Sequence, residues 1–176
     1  MKKVMLLTIF AALMMISSAA VAQTATGTLT VTATVNGSIQ LVFNSDAAGV
    51  ALSSGAGTNN ATLAFGNVSA FGAVAAGVVR TTAANSFTVS SAVDVLVSKT
   101  NSASANYTLK AQLGSADATN TWQVGGVTVT NAAQATLTAT GTYASNSNFP
   151  VAITIPFTTA SGTNISNTIN YTATAN

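Results

Sequence analysis

An all-β fold follows from three features of the sequence. Apolar and polar residues alternate with a period of two in one stretch after another, as in TATGTLTVTATV, FTVSSAVDVLV and YTLKAQL. Short runs of Gly, Asn, Ser and Thr separate these stretches, and beyond residue 22 no segment repeats its apolar residues at the helical spacing. Strand-length segments joined by turn-forming loops pair with their neighbours, so the sheets are expected to be antiparallel. An immunoglobulin-like β-sandwich is the natural arrangement for about nine or ten such strands, with a jelly roll or barrel as the alternative.

The chain begins with Lys2 and Lys3, an apolar run from Val4 to Ile16, and a small-residue stretch closing on Ala20-Val21-Ala22. This is the pattern of a secretory signal peptide with cleavage near Ala22, and the apolar run is too short to span a bilayer comfortably. The expected organisation is therefore a signal peptide over 1–22, an N-terminal arm over 23–36 and a β-sandwich domain over 37–176. The product is expected to be secreted, outside the cell or on its surface.

The next segment, Thr24 to Val35, carries Thr at every even position and Ala25, Gly27, Leu29, Val31, Ala33 and Val35 at the odd ones. A strand turns successive side chains to opposite faces, giving one hydroxyl face and one apolar face. No charge falls between Lys3 and Asp46, so the segment lacks the lysines, prolines and inward charges that keep edge strands apart. It reads as a strand meant to be paired. The Asn36-Gly37 dipeptide after it favours a type I′ hairpin onto Ser38–Phe43, with Ile39, Leu41 and Phe43 on one face. The same dipeptide serves equally as a hinge between a free arm and the body.

A loop is expected over 44–60, then a short strand over 61–65, two Phe-Gly steps at Phe65-Gly66 and Phe71-Gly72, and an apolar run over 73–79 closed by Arg80. Residues 87–97 place Val93, Val95 and Val97 on one face, and 107–113 turn Tyr107, Leu109, Ala111 and Leu113 inward. Trp122 and Val124 precede a Gly125-Gly126 turn and a short strand over 127–130. Alternation returns over 135–143, over 149–157 with Pro150 and Pro156 on one face, and over 165–175 with Ile165, Ile169, Tyr171, Ala173 and Ala175 on one face. Prolines within such a run point to an edge or a strand end.

Composition narrows the chemistry. Without Lys2 and Lys3, the charged residues are Arg80, Lys99 and Lys110 against Asp46, Asp94 and Asp117, a net charge of zero. No basic patch exists for a phosphate backbone, so nucleic acid is not an expected partner. A near-neutral surface favours association. The chain has no Cys, His or Glu, which removes disulfides, thiolates, zinc sites, conventional triads and glutamate acid–base pairs. No enzyme, cofactor, metal or small-molecule substrate is expected. Lys99 and Lys110 read as solvated lysines rather than isopeptide donors, and isolated aspartates lack the dense oxygen set that calcium requires.

The signal peptide, the Thr-alternating segment Thr24–Val35, the step Phe65-Gly66 and the closing Thr168–Thr174 (TINYTAT) together resemble the spore coat U and archaic chaperone-usher pilin family. Ser38 stands where that family usually carries a Cys, and its tryptophan-glycine step is not reproduced around Trp122. The resemblance implies an incomplete immunoglobulin-like sandwich, pilin-like, whose missing strand is supplied by the N-terminal segment of the next subunit. The donor residues would be Ala25, Gly27, Leu29, Val31, Ala33 and Val35. The acceptor groove would lie beside the last strand, at Ile165, Ile169, Tyr171 and Ala173. Implied partners are further copies of the chain, in a homopolymer, with a periplasmic chaperone and an outer-membrane usher.

The expected function is a structural subunit of a surface filament used in adhesion or biofilm matrix. The alternative is a monomeric secreted carbohydrate-binding or coat protein whose first strand pairs in cis and whose Trp122, Tyr107, Tyr143 and Tyr171 offer a sugar-stacking platform. The two diverge on where residues 24–35 dock.

Overall fold

The structure is a computed structural model that describes residues 26–176. The expected signal peptide, its cleavage near Ala22, and Thr24 and Ala25 lie outside the described residues. The chain divides into a short N-terminal unit ending at Thr34 and a body, Val35–Asn176. Within the N-terminal unit, residues 26–34 carry no strand, turn or bend, and Leu29 and Val31 are 86% and 80% exposed.

The body is all-β, with no helix among the described residues. Eleven strands form three antiparallel sheets: β1 (Ser38–Ser45), β4 (Val93–Thr100) and β9 (Asn146–Asn148) in the first. The second has the order β2 (Val79–Thr82), β3 (Ser86–Ser91), β10 (Val151–Pro156), β6 (Thr121–Val124) and β7 (Val127–Val129). The third has β11 (Ile169–Ala175), β5 (Tyr107–Leu113) and β8 (Ala135–Gly141).

The first two sheets are continuous in register. Only Ala92 separates β3 from β4, and only Phe149-Pro150 separates β9 from β10. Ser91 faces Val151 and Asp94 faces Asn148, so one antiparallel register runs through both interruptions. Pro150 cannot donate to a ladder, but its carbonyl accepts from Gly125 N at 2.8 Å, and Phe149 N donates to Val93 O at 2.8 Å. At the other break Ser91 Oγ accepts from Val50 N at 2.7 Å, which satisfies the buried hydroxyl.

Period-two alternation becomes burial. The odd residues from Phe87 to Val97 all face inward and are buried, as are those from Tyr107 to Leu113. One core cluster joins the second and third sheets through Val89, Trp122, Val124, Ile153, Ala111 and Leu113, among others. A second joins β4 to β5 through Val95, Val97, Tyr107 and Leu109. Sheets packed face to face over such cores are consistent with a β-sandwich.

Several expected elements differ. The Asn36-Gly37 hairpin does not form: a type I′ turn needs positive φ at both residues, and neither has it. Gly37 instead lies against the chain opposite, where an added Cβ would stand 2.6 Å from Asn101 O. Residues 61–65 contribute only an isolated bridge, Ser54 to Thr62. The apolar run 73–79 turns instead of extending, with Val78 N donating to Ala75 O at 3.1 Å and Gly77 at φ 76°. The run 149–157 begins its strand after Pro150, and 165–175 becomes a strand only from Ile169.

The few charges find neutral partners. Arg80 donates to Ser69 O at 2.9 Å and Gly72 O at 2.6 Å, pinning the loop over the edge of β2. Lys99 Nζ donates to Ser104 O and lies 5.0 Å from the Tyr143 ring centroid. Asn148 Nδ2 donates to Asp46 Oδ2 at 2.7 Å and to Asp94 Oδ1 at 3.4 Å.

Candidate functional site

The strands flanking the second core cluster differ from those within it. The first strand, β1, is the edge of its sheet, and β11 is the edge of the opposite one; the two edges approach each other along one side of the body. Leu41 and Phe43 from β1 and Tyr171 and Ala173 from β11 pack onto Val95, Val97, Tyr107 and Leu109. Phe43 and Tyr171 meet edge to face across the seam, ring centroids 5.0 Å apart. All four of these seam residues are only half-buried, whereas the residues beneath them are fully covered.

The backbone is equally incomplete there. Seven residues of β11 pair with β5, from Ile169 with Leu113 to Ala175 with Tyr107. In an antiparallel ladder alternate residues turn their N–H and C=O to the other side, and no strand among the described residues meets that side of β11. The edge of β1 is covered at one end, where Phe43 N donates to Thr58 O at 2.8 Å and Gly57 N to Phe43 O at 2.7 Å. Toward Ser38 no such bridge occurs among the described residues. Burial pushes the Tyr171 hydroxyl up from its usual range.

Of the acceptor residues named from sequence, Ile169, Tyr171 and Ala173 lie on the inward face of β11, with Tyr171 and Ala173 at the seam. Ile165 does not lie on that strand; it packs on the other core cluster, in the loop before β11. Sequence reasoning missed Leu41 and Phe43 as the opposite wall. Their alternation was visible in SIQLVF, but which strand becomes a sheet edge is set by topology. Of the donor residues, Gly27, Leu29, Val31, Ala33 and Val35 are exposed, and Ala25 lies outside the described residues.

The aromatic platform is not assembled. Trp122 is buried in one core cluster and Tyr107 in the other, with Tyr171 half-covered at the seam and Tyr143 tilted against Tyr107 at 5.2 Å. Among the described residues, no group of three or more metal-ligating His, Cys, Asp or Glu side chains comes together. No family model, curated protein or solved structure matches the chain.

Proposed function

We propose that this chain is the structural subunit of an extracellular filament, polymerised by donating residues 24–35 of one copy to the β1–β11 seam of the next. One observation carries the reading: an apolar, alternating segment stands exposed on a chain whose sandwich has a half-covered seam of matching chemistry. The donated strand supplies N–H and C=O groups to the open edge of β11 and apolar side chains to the cover over Leu41, Phe43, Tyr171 and Ala173. Phe43 and Tyr171 move apart to admit it.

The strand order supports an immunoglobulin-like arrangement with one position vacant. In such a reading β3–β4 and β9–β10 each count as one strand, β1 and β6 flank them, β5 and β11 pair in the opposite sheet, and the further strand would lie beside β11. The resemblance to spore coat U and archaic chaperone-usher pilins points the same way. It brings with it secretion after signal-peptide cleavage and, as assembly partners, a periplasmic chaperone and an outer-membrane usher. Adhesion or biofilm matrix is the use that a near-neutral, uncatalytic fibre subunit serves.

Burying Leu29, Val31 and Val35 contributes about 1.5–3 kcal/mol each. That total is comparable with the stability of a whole domain, roughly 5–15 kcal/mol, so a docked strand holds with very slow release. The deciding measurement is solution mass by light scattering for residues 23–176 and for a shortened chain beginning at Gly37. A ladder or fibre from the long form, with a short form stabilised by a peptide of residues 24–35, supports donation in trans. A long form that stays monomeric at every concentration overturns it and leaves pairing in cis.

A further inference from the structure

We infer that a polar cleft between the β5–β6 loop and the β10–β11 loop binds a neutral, hydroxyl-rich ligand of the size of one sugar unit. The cleft encloses about 260 Å³ and is lined by Asp117, Asn120, Thr159, Thr163 and Asn164 among other small polar residues. Its walls are built, not draped. Gly114 N donates to Thr168 O at 2.7 Å, and Asn167 clamps Ser115 from both sides, accepting from its N–H at 3.2 Å and donating to its carbonyl at 3.0 Å.

The chemistry of the lining selects the ligand. No lysine or arginine lines the cleft, and Asp117 is its only ionisable group. Both carboxylate oxygens of Asp117 are engaged: Oδ1 accepts from Thr119 N at 3.0 Å and Asn120 N at 2.9 Å, and Oδ2 from Asn120 Nδ2 at 3.0 Å and Trp122 Nε1 at 2.8 Å. A carboxylate with its acceptor positions filled has little left for a cation, while its charge repels an anion. A neutral partner remains.

The cleft also holds unused hydrogen-bonding capacity. Three buried side-chain polar atoms lack a partner among the described residues, and two of them, Asn120 Oδ1 and Thr159 Oγ1, belong to residues of this lining. Buried polar groups are normally satisfied, so one orphan on each of the two loops that flank the cleft points to a missing partner. Both are screened from bulk water. Asn164 and Ser166 are exposed and line the same cleft, offering donors and acceptors of the kind that read sugar hydroxyls. None of this depends on strand donation, since residues 24–35 have no part in the cleft.

The test is saturation-transfer NMR on the full chain with glucose, galactose, mannose and N-acetylglucosamine, and with glucuronate as the anionic control. At least one neutral sugar is expected to give transfer and glucuronate none. The double variant Asn164→Ala, Ser166→Ala should weaken that binding by about tenfold or more through two lost hydrogen bonds, with Trp122 emission unchanged as the check on the fold. Absence of transfer from every neutral sugar overturns the inference. So does equal transfer from glucuronate, or binding that the folded double variant leaves intact.

Discussion

Residues 27–35 and residues 107–113 alternate with equal strictness, yet they end in opposite environments. Leu109 and Ala111 in β5 are fully buried between β11 and β8, while Leu29 and Val31 are 86% and 80% exposed. Both segments carry strand-compatible residues, four Thr and two Val in 27–35, and Tyr107, Thr108 and two Leu in 107–113. What differs is pairing: β5 has a strand on each side and a facing sheet, and residues 26–34 belong to no strand among the described residues. Period-two alternation therefore encodes competence to form a strand, and the partner is a separate matter.

The sharpest way to break this comparison is to place a charge in each segment. Leu109→Asp buries a carboxylate with no partner and is expected to cost on the order of 5 kcal/mol or more, enough to abolish folding by circular dichroism. Leu29→Asp should leave the urea midpoint of the unassembled body unchanged while removing the fibre ladder in light scattering. Equal loss of folding in both variants would mean that the arm is packed within its own chain.

A second contrast sets the seam against the interior. Phe43→Ala removes half of the edge-to-face pair with Tyr171 and should destabilise the body by about 2 kcal/mol, less than a fully buried Phe. Binding of a 24–35 peptide, followed by calorimetry, should weaken in the same variant. Unchanged peptide affinity would place the docking surface elsewhere.

A third concerns a single methyl group. Gly141 faces Tyr107 in the ladder of β5 and β8, and an added Cβ would overlap the Tyr107 ring. Gly141→Ala is expected to cost about 1–3 kcal/mol by overpacking. Gly27 has no heavy atom within 4 Å of such a Cβ, so Gly27→Ala should leave the melting temperature of the body in place.

The smallest expected effect is acidic. Burial works to raise the Asp117 pKa, but hydrogen bonds from Asn120 N, Trp122 Nε1, Asn120 Nδ2 and Thr119 N outweigh it and hold the carboxyl at about 2, below its ordinary 3.8. A carboxyl with a depressed folded pKa contributes stability that is complete above the unfolded value and fades as pH falls through the folded one. Unfolding monitored through Trp122, the only tryptophan in the chain, should show a modest loss between pH 4 and 2. Asp117→Asn should remove that slope, and an unaltered slope would detach it from this carboxyl.

Much of the fold was legible from the sequence because burial follows side-chain alternation. Val93, Val95, Val97, Tyr107, Leu109, Ala111 and Leu113 all face inward as the pattern requires. Less legible were events that depend on partners distant in sequence. Residues 87–97 alternate without a fault, yet the strand changes sheets at Ala92, where Ser91 meets Val50. Asn36-Gly37 carries the favoured hairpin chemistry, but neither residue takes positive φ, and Gly37 lies close against Asn101, a residue distant in sequence. The site was half visible: Tyr171 and Ala173 could be named from the last strand, whereas Phe43 became its opposite wall only once two sheet edges met. The cleft was not visible, because Asp117 and Asn164 lie on loops that share no pattern.

The way the charges are anchored bears on the response to salt. Arg80 and Lys99 are held by carbonyl oxygens, and Asp46 and Asp94 by an amide. Dissolved ions weaken attraction between opposite charges, and the Debye length contracts from about 30 Å at 0.01 M to about 3 Å at 1 M. A chain stitched by charge-to-dipole contacts and apolar burial offers those ions little to act upon. Its fold is expected to depend little on ionic strength.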